Sequence, residues 1–402
     1  MPYPEPEVLN RLVARVFRTE DVTLGEPARG LIARYRGRLI SEDTAAAYDQ
    51  LAESLEGFGI TALFRTDKDQ QVIYLVPRNP EAKPQRLRVN VILFLLTVLS
   101  VMYVGALMTD APARGALPAD PAGQVLFVAG ILLAGWPYAL SLLSILLAHE
   151  FGHYLMSRHH KTRATLPYFI PLPVPPLGTM GAAILMQGTP KNKRVLFDIG
   201  VAGPLAGMAV AIPVLLFGLS LSHLDVIRST GGMVEMEGNS VLYLAAKYVM
   251  FGQLLPAPAN LGSTTPILYW VRYFFTGHPI PLGATDVFIH PVAFAGWAGL
   301  LVTALNLIPA GTLDGGHVVY SWLGERAAKA YPFVLLALVA LGLFWNGWWI
   351  WALLLLWLGR VHAEPLDQIT PLDRPRLAVA AVVIIIFILT FSPVPFSVFS
   401  GL

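Results

Sequence analysis

Between Val89 and Met108 the chain reads VNVILFLLTVLSVMYVGALM, an uncharged run long enough to cross a lipid bilayer. A spanning helix needs roughly 20 predominantly apolar residues. At that depth the backbone must satisfy its own polar groups, so a long apolar run has few options besides a helix. Further apolar runs lie near 134–158, 196–220, 290–309, 331–345, 348–360 and 377–393, giving about seven spans. The fifth and sixth are short and separated by Asn346-Gly347, as a tight helical hairpin would be. Gln124 to Gly135 is also apolar and extends or flanks the second span. Charged residues make up only 13% of the chain, against about 25% in soluble domains. The expected fold is mostly α, a polytopic membrane helix bundle in residues 88–402.

Residues 1–87 differ. Nearly half of the basic residues precede Val89, and the segment has the punctuation of a small α+β soluble domain. IARYRGRLI (32–40) has strand-like content. Ser41-Glu42-Asp43 can cap a helix running through TAAAYDQLAESLEGFG to Gly57 or Gly59. ITALFRT and QVIYLVP form a strand pair around the polar turn DKDQ. No catalytic constellation is visible there, which leaves a regulatory or docking role. MPYPEPEVLNRLVARVF lacks the apolar core of a signal peptide, so insertion is expected to use the first membrane helix.

Loop charges orient the bundle. With residues 1–87 cytoplasmic, alternate loops hold eleven Lys and Arg residues after Arg88, Arg158, Lys191 and Arg376 among them; the opposite side holds Arg114, Arg228, Lys247 and Arg272. That asymmetry favours a cytoplasmic N-terminus, in a bacterial plasma membrane. The long segment 221–289 includes VLYLAAKYVMFGQLL, which is expected to lie on the membrane surface. A formal net charge of +2 gives no case for a nucleic-acid partner, and the sequence sets no oligomeric state. There is no cysteine, so any metal must be held by His, Asp or Glu.

The second apolar run contains His149-Glu150-Phe151-Gly152-His153. HExxH on a helix sets two imidazoles at i and i+4 on one face, where both can hold one zinc ion. Glu150, between them, is placed as a general base. A catalytic zinc normally has three protein ligands. A second polar cluster, NLIPAGTLDGGH (306–317), ends the fourth run. Ionisable residues near membrane depth cost roughly 2.5–3.5 kcal/mol on insertion scales, so Asp314 there is the natural third ligand. The second and fourth runs cross in the same direction and deliver the three residues to one end. Pro309 and Gly315-Gly316 are expected to break the helix beside a water-filled cavity.

LLAHEFGH (146–153), NLIPAGTLDGGH (306–317) and Gly203-Pro204-Leu205-Ala206-Gly207 together resemble the site-2 protease family of intramembrane zinc metalloproteases. The resemblance covers most of residues 130–320. Without a PDZ domain, and with AGWAGLLVTALNLIPAGTLDGG, the chain looks more like the plastid and cyanobacterial branch. The resemblance implies His149, His153 and Asp314 as ligands of one zinc, Glu150 as catalytic base, and a three-helix core near 134–158, 196–220 and 290–309. It also implies transmembrane protein substrates, cleaved in the bilayer by regulated intramembrane proteolysis. The competing reading is a transporter or non-proteolytic scaffold with a structural metal. No inverted repeat supports it, and a structural site has no need of the base.

Other residues are open to two readings. Asn306 and His317 could donate to a tetrahedral oxyanion, although Asn306 equally suits an interhelical hydrogen bond. The Pro/Gly-rich loop 161–195 is expected to face the cytoplasm as a membrane-associated hairpin. Within it Gly181, Ala182, Ala183, Ile184, Leu185, Met186 and Gln187 form either a strand edge that accepts substrate or a mere shield. GPLAG reads as a close-packing helix face. His159 and His160 read as interfacial, His290 as distant from the metal, and His223, His278 and His362 as loop residues. Trp345, Trp348, Trp349, Trp351 and Trp357 read as an interfacial belt.

Overall fold

Alternating apolar residues in the first part of the chain become a four-stranded antiparallel sheet. Its elements are α1 (Pro6–Val13), β1 (Phe17–Leu24), β2 (Ala33–Leu39), α2 (Thr44–Glu56), β3 (Ile60–Asp67) and β4 (Gln70–Pro77), with strand order β1-β2-β4-β3. The computed structural model describes residues 3–27, 30–68, 70–78, 85–109, 117–228, 233–258, 260–261, 264–358 and 364–400. Asp43 caps α2 by accepting the Ala46 N–H at 3.1 Å, as the sequence indicates. One face of the sheet buries Tyr35, Phe64, Ile73 and Leu75 against Leu9, Leu51 and Leu55 of the two helices. α1 and β1 have no counterpart in the sequence expectation, since β1 is exposed along nearly its whole length and carries no apolar alternation.

The apolar runs become α3 (Leu87–Leu107), α4 (Pro121–Ala134), α5 (Trp136–His159), α6 (Lys193–Ser220), α7 (Val241–Phe251), α8 (Pro266–Thr276), α9 (Pro291–Asn306), α10 (Asp314–Leu323), α11 (Ala327–Leu341), α12 (Gly347–Leu358) and α13 (Arg374–Thr390). Among the described residues α3, α5 and α6 are long and apolar enough to cross a membrane. α9 has 16 residues, about 24 Å at 1.5 Å per residue, short of a hydrocarbon core of about 30 Å. α7 has 11 residues and is too short to cross. α4 is a separate helix beside α3 rather than an extension of α5. Lys83, Arg114, Arg360, His362 and the end of the 348–360 run lie outside the described residues.

α5, α6 and α9 pack around one core containing Leu142, Leu146, Ala211, Leu215, Ala295, Trp297 and Leu301. Short antiparallel strands decorate the bundle: β5 (Tyr168–Pro171) pairs with β6 (Thr179–Ala183), β7 (His223–Val226) with β9 (Thr285–Phe288), and β8 (Met233–Glu237) with β10 (Phe396–Ser400). The β5–β6 hairpin packs against the bundle. It lies along α3, from Asn90, which donates to the Pro167 carbonyl at 2.9 Å, to Ser100, which donates to the Gly178 carbonyl at 2.6 Å. Its tip meets the first turn of α5, where the Tyr138 hydroxyl donates to the Leu177 carbonyl at 3.0 Å. Unpaired carbonyls in an apolar bundle are costly, and these three side chains satisfy them.

Candidate metal centre

His149 and His153 lie one turn apart on α5, both buried, with their imidazoles on the face turned toward α6. The chain leaves α9 at Asn306, turns through 307–313, and re-enters a helix at Asp314. The carboxylate thus sits in the first turn of α10, where the helix dipole favours negative charge. His149 Nε2 lies 3.3 Å from Asp314 Oδ2, His153 Nε2 lies 3.3 Å from Asp314 Oδ1, and the two imidazole nitrogens are 3.2 Å apart. Ligands about 2.0–2.1 Å from a tetrahedral zinc stand about 3.3 Å from one another. The donor set and its spacing therefore fit that ion. Among the described residues this is the one group of three such side chains with ligand atoms converging within 4.8 Å.

The surroundings fix the imidazoles. His153 Nδ1 lies 2.7 Å from the Ile199 carbonyl of α6, a bond that directs Nε2 toward the metal position. α6 approaches through its small residues: a β-carbon on Gly203 would stand 2.0 Å from His153 Nε2, and one on Gly207 would stand 3.2 Å from His149 Cβ. The GPLAG stretch is thus a close-packing face, as its composition suggests. Gly315 and Gly316 do not break the helix. The break is at 307–313, and the glycines let the first turn of α10 press on it, since a β-carbon on Gly315 would meet the Leu307 carbonyl oxygen at 2.0 Å.

Glu150 is buried beside the histidines, with the backbone N–H of Ile184 facing its carboxylate. Asn306 Nδ2 lies 3.2 Å from His149 Nε2, an α9-to-α5 contact of the kind the sequence suggests. His317 sits one turn beyond Asp314, with its Cβ against Gly200 of α6. Of Gly181, Ala182, Ala183, Ile184, Leu185, Met186 and Gln187, the first three lie in β6 and the last four do not. The Ile184 N–H faces Glu150 and Leu185 N donates to the Thr165 hydroxyl at 3.0 Å, after which antiparallel pairing resumes. Thr165 N donates to the Leu185 carbonyl at 3.0 Å, Gln187 N to the Arg163 carbonyl at 2.8 Å, and Ala164 bridges Met186. Among the described residues no strand occupies the other edge of β6.

A cavity of about 210 Å³ opens from His149 and Glu150, walled by Thr179–Ala182, by Leu142 and Leu146, and by Val302, Leu305 and Asn306. A larger one, about 360 Å³, lies among Tyr273, His278, Phe344 and Phe396. It holds no ligand set, so the smaller one is the candidate site. His160 is more than interfacial: its Nε2 lies 2.9 Å from Asp198, which also receives two N–H bonds from Arg376. His290 caps α9, at the opposite end from Asn306. Sequence reasoning missed the Ile199 carbonyl and the Ile184 amide, since backbone groups leave no mark in the residue alphabet.

A purely structural ion would have no use for a buried carboxylate left over beside its ligands. The class the arrangement defines is a membrane metallohydrolase. Comparison with known proteins narrows this: the profile of Peptidase family M50 matches residues 137–344, more than half of the chain, which belongs to that family. It is 30% identical over 320 residues, 76% of its length and 50% of the relative's, to a probable zinc metalloprotease EGY1, chloroplastic, from Oryza sativa subsp. japonica. Identity is 32% over 265 residues (65% of the chain, 43% of the relative) to the Arabidopsis thaliana EGY1 protein, also named chloroplastic. It is 28% over 398 residues (96% and 64%) to the Arabidopsis thaliana EGY2 protein. The chain thus spans 43% to 64% of the length of these relatives. No solved structure matches it.

Proposed function

We propose that this chain is an intramembrane zinc endopeptidase that hydrolyses peptide bonds within or near the transmembrane segments of other membrane proteins. The observation that carries the reading is the convergence of His149, His153 and Asp314 at tetrahedral spacing, with Glu150 beside them. One zinc ion per chain, held by those three residues, would polarise the scissile carbonyl and lower the pKa of water toward about 7. Glu150 takes the proton of the attacking water and passes it to the leaving nitrogen, a role worth about 10²–10⁴-fold. Asn306 offers an amide N–H toward the oxyanion. A zinc ion on His149 Nε2 would use the lone pair that now faces that amide, which would leave the N–H to the substrate. His317 is one turn away and supports the packing of α10 on α6.

The free edge of β6 and the segment through Gln187 receive the substrate as an added strand, which unwinds it and exposes its carbonyls. The membrane domain comprises residues 88–402 with about seven spans, and α5, α6 and α9 are its catalytic core. The shorter apolar helices, α9 among them, make up the remaining spans by tilting less or by thinning the bilayer locally. Residues 1–87 form a docking or regulatory module. Its cytoplasmic placement rests on loop charge alone. A bacterial plasma membrane finds no support in the relatives, which are named chloroplastic.

The test uses the full chain purified with zinc and a transmembrane substrate. Wild type should cleave, Glu150→Gln should lose about 10²–10⁴-fold with zinc retained, and a chelator should abolish cleavage until zinc is returned. Equal turnover by Glu150→Gln, or activity in zinc-free protein, would refute the mechanism.

A further inference from the structure

The tryptophans of the last hydrophobic hairpin do not form one belt. Trp349 and Trp357 are 47% and 80% exposed, as belt residues are. Trp348 is 1% exposed, donates its Nε1 hydrogen to the Pro393 carbonyl at 2.7 Å, and stacks on Phe391 at 5.3 Å. Trp351, one turn further along α12, forms a wall of the cavity that carries His149 and Glu150. It is also the one wall residue that comes from outside α5, α9 and the hairpin segment.

We propose that Trp351 closes the substrate cavity and selects the side chain that a substrate places next to its scissile bond, accepting leucine, methionine or phenylalanine and rejecting tryptophan and charged residues. The inference rests on the protease reading and names the substrate class for the same site.

Three observations carry it. The cavity holds about 210 Å³, and beyond its polar end it is walled by Leu142, Leu146, Leu177, Met180 and Leu305, so a charged side chain there would be buried without a partner. β6 forms another wall, and a strand laid on its edge points alternate side chains to opposite faces, which sends one toward Trp351. Trp351 is also held firmly, because Trp348 anchors α12 one turn before it. One turn after it the Leu355 carbonyl accepts the Tyr331 hydroxyl of α11 at 2.8 Å. A wall that cannot yield discriminates by size, about 10–200-fold per methylene.

The experiment uses the full chain with zinc and synthetic transmembrane peptides in which each position flanking the cleavage site is in turn Leu or Trp. At one position wild type should cleave the Leu peptide at least about tenfold faster than the Trp peptide, by kcat/KM. Trp351→Ala should shift that ratio at least about tenfold toward Trp, and Trp351→Phe should fall between, with zinc content equal in all three. Unchanged ratios at every position, or an equal loss on all peptides, would overturn the inference. A second arm places a photoreactive diazirine residue at each position and cross-links it to Glu150→Gln protein. A cross-link to α12 is expected at the selective position. Cleavage without that cross-link overturns the role of Trp351. The cross-link together with a wild type that cleaves nothing overturns the protease reading instead.

Discussion

His153 is gripped on both sides of its ring. Nδ1 meets the Ile199 carbonyl at 2.7 Å and Nε2 faces Asp314 at 3.3 Å, so small displacements register directly at the metal position. Gly203 lies against that nitrogen, and the methyl of Gly203→Ala would stand 2.0 Å from it. The substitution should lower zinc affinity by at least the 10–100-fold typical of losing a ligand's supporting partner, about the cost of disturbing its orientation. Gly207→Ala, whose methyl would clear His149 by 3.2 Å, should cost less. Zinc per chain by elemental analysis, measured with cleavage rate, checks both; full zinc occupancy in Gly203→Ala would contradict the geometry. At this scale the convergence of His149, His153 and Asp314 was legible in the sequence. HExxH fixes two ligands by helical period alone, and Asp314 stands out because a carboxylate in an apolar run needs a reason. Gly203 was visible only as part of a small-residue stripe, since what it presses on depends on α6 lying across α5.

The β5–β6 hairpin links residue chemistry to substrate handling. One edge of β6 is paired with β5, and its residues Thr179–Ala182 line the cavity. At Ile184 the ladder is interrupted, with the backbone N–H turned toward Glu150, and antiparallel pairing resumes at Leu185–Gln187. Proline at 184 removes that donor and disturbs the strand's exit. Ile184→Pro should reduce cleavage by about 10²-fold or more, the scale of losing a base correctly placed, while zinc content stays normal. Unchanged turnover would reject both the edge and the Glu150 anchor. Long apolar helices were readable because length and composition suffice to identify them. The interruption at Ile184 left no mark in the sequence, because GAAILMQ keeps its apolar character through Gln187 while its backbone pairing breaks off and then resumes with residues 163–165. β8 and β10 were unreadable for another reason. They are 5-residue strands whose partners, residues 233–237 and 396–400, meet only after the bundle has assembled.

Across the whole molecule, residues 364–370 stitch the N-terminal sheet to the start of α6, the helix that packs against the metal position. Phe64 N donates to the Leu366 carbonyl at 2.9 Å and Gln368 N to the Phe64 carbonyl at 3.0 Å, extending the sheet at β3. The same strap gives Leu366 N to Pro190 and Asp367 N to Lys191, at the entry to α6. Asp367 organises it: its side chain is buried and accepts Ile369 N at 2.8 Å, Thr370 N at 3.1 Å and the Thr370 hydroxyl. Burial pushes its carboxyl above the usual range, against those hydrogen bonds. A raised folded-state pKa means stability that is present below the unfolded value of about 4 and lost as pH rises through the raised value. Asp367→Asn keeps an acceptor for the two amides without the buried charge. It should match or exceed wild type in stability at neutral pH, and the difference should close below about pH 4. Asp367→Ala orphans the amides and should cost about 1–3 kcal/mol. Hydrogen exchange should then quicken at Phe64 and Gln368 and stay unchanged in α5. If Asp367→Ala left those two amides as protected as in wild type, the strap would not be what joins the module to the bundle.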